Sequence, residues 1–171
     1  MHAFRIYAAL AAASAVASSA IAQCTNYGLS QGTIVVDADD AVRDVGLPFA
    51  FPFGGAVHTT MQIGTNGFLK FATTSTLTEL TDSEATLLSG DRRIAVLWDD
   101  LNCGPTGAGD IYYSGDASQV NVVWQGVRRF GSTTVLANCE CILLPSGDIY
   151  LNYDATNNFA TNTSSSIVGI A

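Results

Sequence analysis

The sequence is poor in charged residues and especially poor in basic ones. Charged residues make up 13% of its 171 residues, with 7 Lys and Arg against 15 Asp and Glu. The two basic pairs, Arg92-Arg93 and Arg128-Arg129, stand apart from each other. Because nucleic-acid binding requires a concentrated basic surface, this distribution argues against a nucleic-acid partner. A hydrophobic content of 48% is enough for one domain with a sizeable core.

The sequence also lacks the motifs of common hydrolases. His58 is the one histidine beyond the N-terminal segment, so a Ser-His-Asp or Cys-His arrangement would have to use it. No G-x-S-x-G motif accompanies it, and its neighbours Thr59 and Thr60 are typical of an exposed strand. Carboxylates that hydrolyse glycosides pair in space and leave no sequence motif. We therefore expect no enzymatic activity, and a secreted hydrolase is the least favoured alternative.

Residues 1–22 are typical of a secretory signal peptide. Arg5 gives the segment a positive charge, an Ala-rich apolar run follows, and Ala20-Ile21-Ala22 forms an A-x-A cleavage site. The run is shorter and richer in Ala and Ser than a transmembrane helix of about 20 apolar residues. The sequence thus predicts cleavage before Gln23, a secreted or cell-surface protein, and no membrane span in the mature chain. A lipoprotein is less favoured because Gln23, rather than a small residue, precedes Cys24.

Residues 23–171 predict one domain made of short strands. Apolar and polar residues alternate in segments bounded by Gly, Asn and Pro, which is typical of antiparallel strands. The Asn-Gly pair at 66–67 predicts a tight hairpin in which both residues have positive φ. Residues 94–98 predict a strand buried on both faces, and the prolines of 47–53 predict an edge strand or an extended segment. Residues 73–91 predict a polar connection with one short helical turn around 83–88.

This pattern predicts an all-β fold. The expected architecture is an antiparallel β-sandwich of about ten short strands, with a flattened barrel as the alternative. The chain stops directly after a predicted strand at Ile167–Ile170. We therefore expect it to be a fragment of a longer protein, truncated at its C-terminus.

Four cysteines are present: Cys24, Cys103, Cys139 and Cys141. An even number in an exported chain favours disulfides. Cys139 and Cys141 are two apart on one predicted strand, so they point to the same face and are badly placed to bridge each other. We expect Cys24 and Cys103 each to pair with one of them, and the connectivity stays open. The spacing does not match a zinc site, because C-x-C stands without a nearby histidine.

Acidic and amide side chains cluster along one predicted loop. Asp99, Asp100 and Asn102 follow a predicted strand, and Asp110 follows the Gly-rich stretch after them. Ca²⁺ is bound by several carboxylate and carbonyl oxygens on such loops. The cluster predicts a calcium site whose spacing differs from an EF-hand, and turn capping by the aspartates is the alternative. A second acidic run, typical of a solvated turn, holds Asp37, Asp39 and Asp40.

Several aromatic residues stand at alternate positions in the predicted strands. Alternating aromatics are typical of a core, and we favour that interpretation over a sugar-binding face. These residues are Trp98, Trp124, Tyr112, Tyr113 and Tyr150. A glycosylation sequon at Asn162-Thr163-Ser164 matters only in a host that glycosylates.

Six motifs occur in an order that resembles one family. They are the aromatic run 47–55, the Asn-Gly hairpin 65–71, the strand 93–101, the Val-Trp strand 122–127, the turn and strand 144–153, and the closing strand 167–170. In that order they resemble the F-x-F-F/Y-G, S-N-G-F-I-x-F, I-A-P-x-W-x-D, V-x-W-x-x-V, L-P-D-G-x-I-x-F-x-Y and V-G-I motifs of nidogen-like extracellular domains. The resemblance covers about Leu47 to Ala171.

The resemblance implies a β-sandwich used in extracellular and matrix-adhesion proteins, without enzymatic activity. It supplies no ligand residues, and Cys139 and Cys141 stand where the family has N-T-F-Q-V, so it says nothing about the disulfides. We expect a non-catalytic structural or adhesion module with an extracellular protein or glycan partner and no cofactor other than calcium. A secreted carbohydrate-binding module is the alternative.

Overall fold

A computed structural model describes residues 32–36, 38–73, 79–104, 109–159 and 165–171. The predicted signal peptide, Cys24, Asp37 and the sequon at 162–164 lie outside these residues. The strands are β1 (Thr33–Val36), β2 (Val42–Phe53), β3 (Ala56–Gly64), β4 (Phe68–Lys70), β5 (Arg93–Trp98), β6 (Leu101–Asn102), β7 (Asp110–Gly115), β8 (Val120–Arg129), β9 (Val135–Leu143), β10 (Ile149–Tyr153) and β11 (Ile167–Ile170). One helix, α1 (Glu84–Ser89), completes the described elements.

The strands form two antiparallel sheets. The six-stranded sheet has the order β1-β7-β8-β9-β10, with β6 also paired to β8, and the five-stranded sheet has the order β11-β5-β4-β3-β2. Both sheets are open, so the all-β sandwich is confirmed and the alternative of a flattened barrel is wrong. β2, which contains Pro48 and Pro52, is the predicted edge strand. β5 lies between β11 and β4 with every residue buried, as its continuous apolar run predicts.

Three aromatic side chains tie one sheet to the backbone of the other. The Trp124 indole donates a hydrogen bond to the carbonyl of Gly64 over 3.1 Å. Tyr153 donates to the Val96 carbonyl over 2.5 Å, and Tyr113 donates to Gly46 over 2.6 Å. Each bond gives a polar group at the core a partner, so large rings fill the sandwich without leaving an unpaired donor.

The hairpin between β3 and β4 forms at the predicted place with a different turn. Gly64 pairs with Phe68, which leaves the three-residue loop Thr65–Gly67. Positive φ falls on Gly67 alone, at +78°, and not on Asn66. A three-residue loop that ends in a left-handed glycine is the next common hairpin after the two-residue type. The two-residue turn expected from the Asn-Gly pair is therefore wrong, and the glycine requirement is right.

The polar connection before β5 covers the outer face of the five-stranded sheet. Its helix α1 begins after Ser83, whose hydroxyl accepts a hydrogen bond from the Thr86 amide, as the predicted helical turn implies. Glu79 forms an ion pair with the buried Arg93. Its carbonyl also accepts a hydrogen bond of 2.9 Å from the Trp98 indole. These contacts bury the second face of β5.

Gly67 is the position at which the fold tolerates a side chain least. A Cβ there would lie 1.9 Å from the Leu97 carbonyl oxygen, whereas a Cβ at Gly131, with a similar φ of +74°, would meet nothing within 4 Å. We expect Gly131→Ala to cost about 1–2 kcal/mol for the left-handed backbone alone. Gly67→Ala should cost several kcal/mol more, because the β5 backbone must also move. Urea unfolding of both variants measures the difference, and equal midpoints would contradict the described turn.

Candidate functional site

Two acidic runs that are far apart in the sequence meet at one end of the sandwich. An isolated β-bridge joins Ala38 to Cys103, which places the segment before β2 beside the loop after β5. Asn66 then donates a hydrogen bond of 2.9 Å to the Asp40 carboxylate. The charges of Asp39, Asp40 and Asp100 act on one another at this end. We call this group of residues the acidic end.

Asp99, the first predicted calcium ligand, is fully buried and holds other partners. Its carboxylate pairs with the Arg129 guanidinium from the end of β8 and accepts a hydrogen bond of 2.7 Å from the Ser166 hydroxyl. It also accepts a hydrogen bond of 2.7 Å from the Asp100 amide. The side chain therefore joins the starts or ends of three strands, and releasing it to a metal would break the ion pair between the buried Asp99 carboxylate and the partly exposed Arg129 guanidinium.

Two of the other predicted ligands, Asn102 and Asp110, make separate local contacts. The Asn102 carboxamide oxygen accepts a hydrogen bond of 2.8 Å from the Gly104 amide. Asp110 accepts one of 3.2 Å from the Tyr112 hydroxyl. Within the described part of the chain, no three His, Cys, Asp or Glu side chains are grouped so that they could hold a metal ion. The Asp99 carboxylate is thus already held by other groups of the protein, and a calcium site at these four residues stays a prediction.

Ionised carboxylates at the acidic end destabilise one another. Partial burial, followed by the charges of Asp40 and Asp100, raises the pKa of Asp39. Burial, followed by the charges of Asp40 and Asp99, raises the pKa of Asp100, although Arg129 acts in the opposite direction. When a carboxyl has a higher pKa in the folded than in the unfolded state, the folded protein loses stability as the pH rises through the folded-state pKa. Charge neutralisation at this end should therefore favour the folded state near neutral pH.

The described cysteines are free thiols buried in one core. Cys139 and Cys141 share the inner face of β9, as the alternation predicts. Cys103 follows β6, and β8 lies between β6 and β9 in the sheet. The predicted bond from Cys103 to Cys139 or Cys141 is absent from the structure, in which all three described thiols are free.

His58 is buried and not exposed as the sequence suggests. Its ring lies 5.2 Å from the Phe71 ring, and its Nε2 is 3.1 Å from the Phe53 carbonyl oxygen. Trp98 and Trp124 are also fully buried, which confirms the core interpretation of these two aromatics. Tyr150 keeps 52% of its surface exposed. The less favoured alternative of a sugar-binding face is therefore wrong for these two tryptophans.

Sequence reasoning missed a polar row on the outer face of the five-stranded sheet. Asp44, Gln62 and Lys70 are directly paired across β2, β3 and β4. They line a cavity of about 250 Å³ that opens to the surface. Lys70 has apolar neighbours on both sides in a strand, and this alternation indicates that its side chain lies on the outer face of the sheet. The strand order, which no local pattern gives, is what brings the three residues together.

The calcium prediction has a direct test. Because Asp99 is committed to Arg129, we expect the melting midpoint to be the same in millimolar calcium and in chelator at matched ionic strength. Asp100→Asn should raise the midpoint by a few degrees in both solutions, since it relieves repulsion. A calcium-dependent rise in the wild type that disappears in Asp100→Asn would restore a calcium site that does not use Asp99.

The cysteines give a second test. The three described thiols are free in the structure, and Cys24 can bond only one of them. We therefore expect at least two free thiols when exported protein is unfolded without reductant and titrated with a thiol reagent. Burial, followed by the charges of Asp39 and Asp110, raises the pKa of Cys103 to about 12, so titration requires unfolding first. Finding no free thiol would establish the two disulfides expected from the sequence.

Comparisons with known proteins agree with the motif resemblance. The family described as NIDO related, that is nidogen-related, matches residues 15–171. No curated protein and no solved structure matches the chain significantly. Among the described residues, the single six-residue helix is too short to span a membrane. The family match covers nearly the whole chain and every described strand, so this chain belongs to the nidogen-related family of extracellular-type modules.

Proposed function

We propose that the chain is a non-catalytic structural or adhesion module of a secreted or cell-surface protein. The observation that carries the proposal is the family match over residues 15–171. The two-sheet sandwich, cross-tied by three ring-to-carbonyl hydrogen bonds, supports a mechanical role because it presents rigid outer faces to a partner. The signal peptide predicted at residues 1–22 supports export.

The way in which ionisable groups are paired favours a non-catalytic role. Asp99 is held by Arg129 and Ser166, and Glu79 is held by Arg93. His58 lies against Phe71 in the core. A general base or nucleophile has to contact a substrate atom, whereas these side chains contact other groups of the protein. A secreted hydrolase is therefore the weaker proposal.

Carbohydrate binding is the second proposal, and a specific observation favours it. The cavity lined by Asp44, Gln62 and Lys70 presents carboxylate, amide and ammonium groups side by side. Such groups form hydrogen bonds with the hydroxyls of a sugar. In an adhesion module, this cavity would supply a glycan contact without any catalytic step.

Adhesion can be measured with beads that carry the exported protein. We expect wild-type beads to be retained by extracellular matrix from the producing cells, because a folded module presents the contact surface. The matched pair Gly67→Ala and Gly131→Ala is compared at a temperature at which only Gly67→Ala is unfolded. Gly131→Ala beads should be retained like wild type, and Gly67→Ala beads should be lost.

Two results would contradict the proposal. Equal retention of all three bead types would show that attachment does not depend on the fold. Release of reducing sugar ends or peptides from the matrix, at a rate proportional to protein, would indicate a hydrolase instead.

A further inference from the structure

The outer face of the five-stranded sheet contains a polar row that spans three strands. Asp44 on β2 is the direct partner of Gln62 on β3, and Gln62 is the direct partner of Lys70 on β4. Directly paired residues project from the same face of a sheet. Neighbouring strands are about 4.8 Å apart, so the three side chains form a continuous polar strip.

This strip forms one wall of the cavity of about 250 Å³, which Thr60 and Thr73 also line. Asp44 and Thr60 are exposed at its rim. Lys70 and Gln62 lie at its base, with Lys70 fully buried and Gln62 4% exposed. Pockets for drug-sized ligands have volumes of about 300–1,000 Å³, so this cavity suits a smaller group such as a single sugar ring.

Gln62 supplies the observation that points to a ligand. Its carboxamide oxygen is buried and accepts no hydrogen bond from the protein. Buried polar atoms without a partner are uncommon in folded proteins because their desolvation is not offset. Since Gln62 lines the cavity, a molecule that enters should present an O–H or N–H group to this side chain.

The charges around the cavity favour a neutral molecule. The Lys70 ammonium lies 3.7 Å from a carboxylate oxygen of Glu79, which also pairs with Arg93. The Asp44 carboxylate stands at the opposite end of the strip. A cation would meet Lys70 and an anion would meet Asp44, so either charge is opposed at one end. A molecule whose groups both donate and accept hydrogen bonds satisfies carboxylate, amide and ammonium together.

We propose that this cavity binds one neutral sugar unit of a glycan through its hydroxyl groups. Vicinal hydroxyls would donate to Gln62 Oε1 and to the Asp44 carboxylate, and ring or hydroxyl oxygens would accept from Lys70. None of the described residues that line the cavity is aromatic, so stacking on these residues adds nothing to the affinity for a sugar. The inference rests on the proposed function only in taking the glycan to be extracellular.

The test uses exported protein with ¹⁵N labelling and four probes: the methyl glycosides of glucose, galactose, mannose and N-acetylglucosamine. We expect at least one probe, at millimolar concentration, to shift the side-chain amide resonance of Gln62 in a saturable way. Gln62→Leu and Asp44→Asn should each weaken the binding of that probe at least tenfold. Because Gln62→Leu has no side-chain amide at this position, binding to this variant is measured from the backbone resonances of the strip.

Asn121→Leu is the matched control. Asn121 also has a buried, unpartnered carboxamide oxygen, and it lies on β8 of the other sheet. Its variant should bind the probe like wild type. Gln62→Leu should keep its melting midpoint, because an apolar group of similar size replaces an unpaired polar one. If it fails to fold, Asp44→Asn at the exposed rim still decides the matter.

Two outcomes overturn the proposal. One is the absence of a saturable shift with all four glycosides, and the other is equal binding by wild type and Asp44→Asn. If free glycine, added as a zwitterionic comparison, shifts Gln62 while no glycoside does, the first outcome holds and the cavity is a zwitterion site. Bead retention separates the two proposals, since wild-type protein that binds no glycoside but is retained by matrix would overturn the sugar site and leave the adhesion module.

Discussion

The buried turn Thr65–Gly67 is the constraint on which much of the sandwich depends. Thr65 exchanges hydrogen bonds with the Ala41 backbone, and the Asn66 carboxamide oxygen accepts from the Leu101 amide over 2.8 Å. The Gly67 carbonyl accepts from two successive amides, those of Val96 and Leu97. One hairpin loop thereby fixes the start of β2, the end of β5 and the entry into β6. The acidic end is assembled around this turn, because Asp40 and Asp99 are both bonded to Asn66.

The strands could be predicted from the sequence because their signals are local. Alternation of apolar residues places β10 at Ile149–Tyr153 and β11 at Ile167–Ile170, and the continuous run at 94–98 identifies a strand with neighbours on both sides. The turn type could not be predicted, because it depends on a fit between Gly67 and the Leu97 carbonyl across the sheet. The burial of His58 could not be predicted for the same reason, because it depends on packing against the Phe71 ring.

The candidate sites were less predictable because their partners are distant in the chain. Asp99 and Arg129 are 30 residues apart, and Ser166 is 67 residues from Asp99. A run of acidic residues indicates a metal site only when no cation of the protein reaches it. The cysteine prediction was right about the shared face of Cys139 and Cys141, which follows from alternation. The partner of Cys103 depends on strand order, which alternation does not give.

The position of β11 has a consequence for the order in which the domain is completed. β5 is bordered on one side by β4, which is close in sequence, and on the other by β11. Arg93 and Ala171 exchange two backbone hydrogen bonds of 3.0 Å, so this border forms only once residues 167–171 are available. Contacts between distant parts of a chain form slowly. During folding, β5 would thus stay unpaired on one edge until β11 had docked, and the five-stranded sheet would be the later of the two to close.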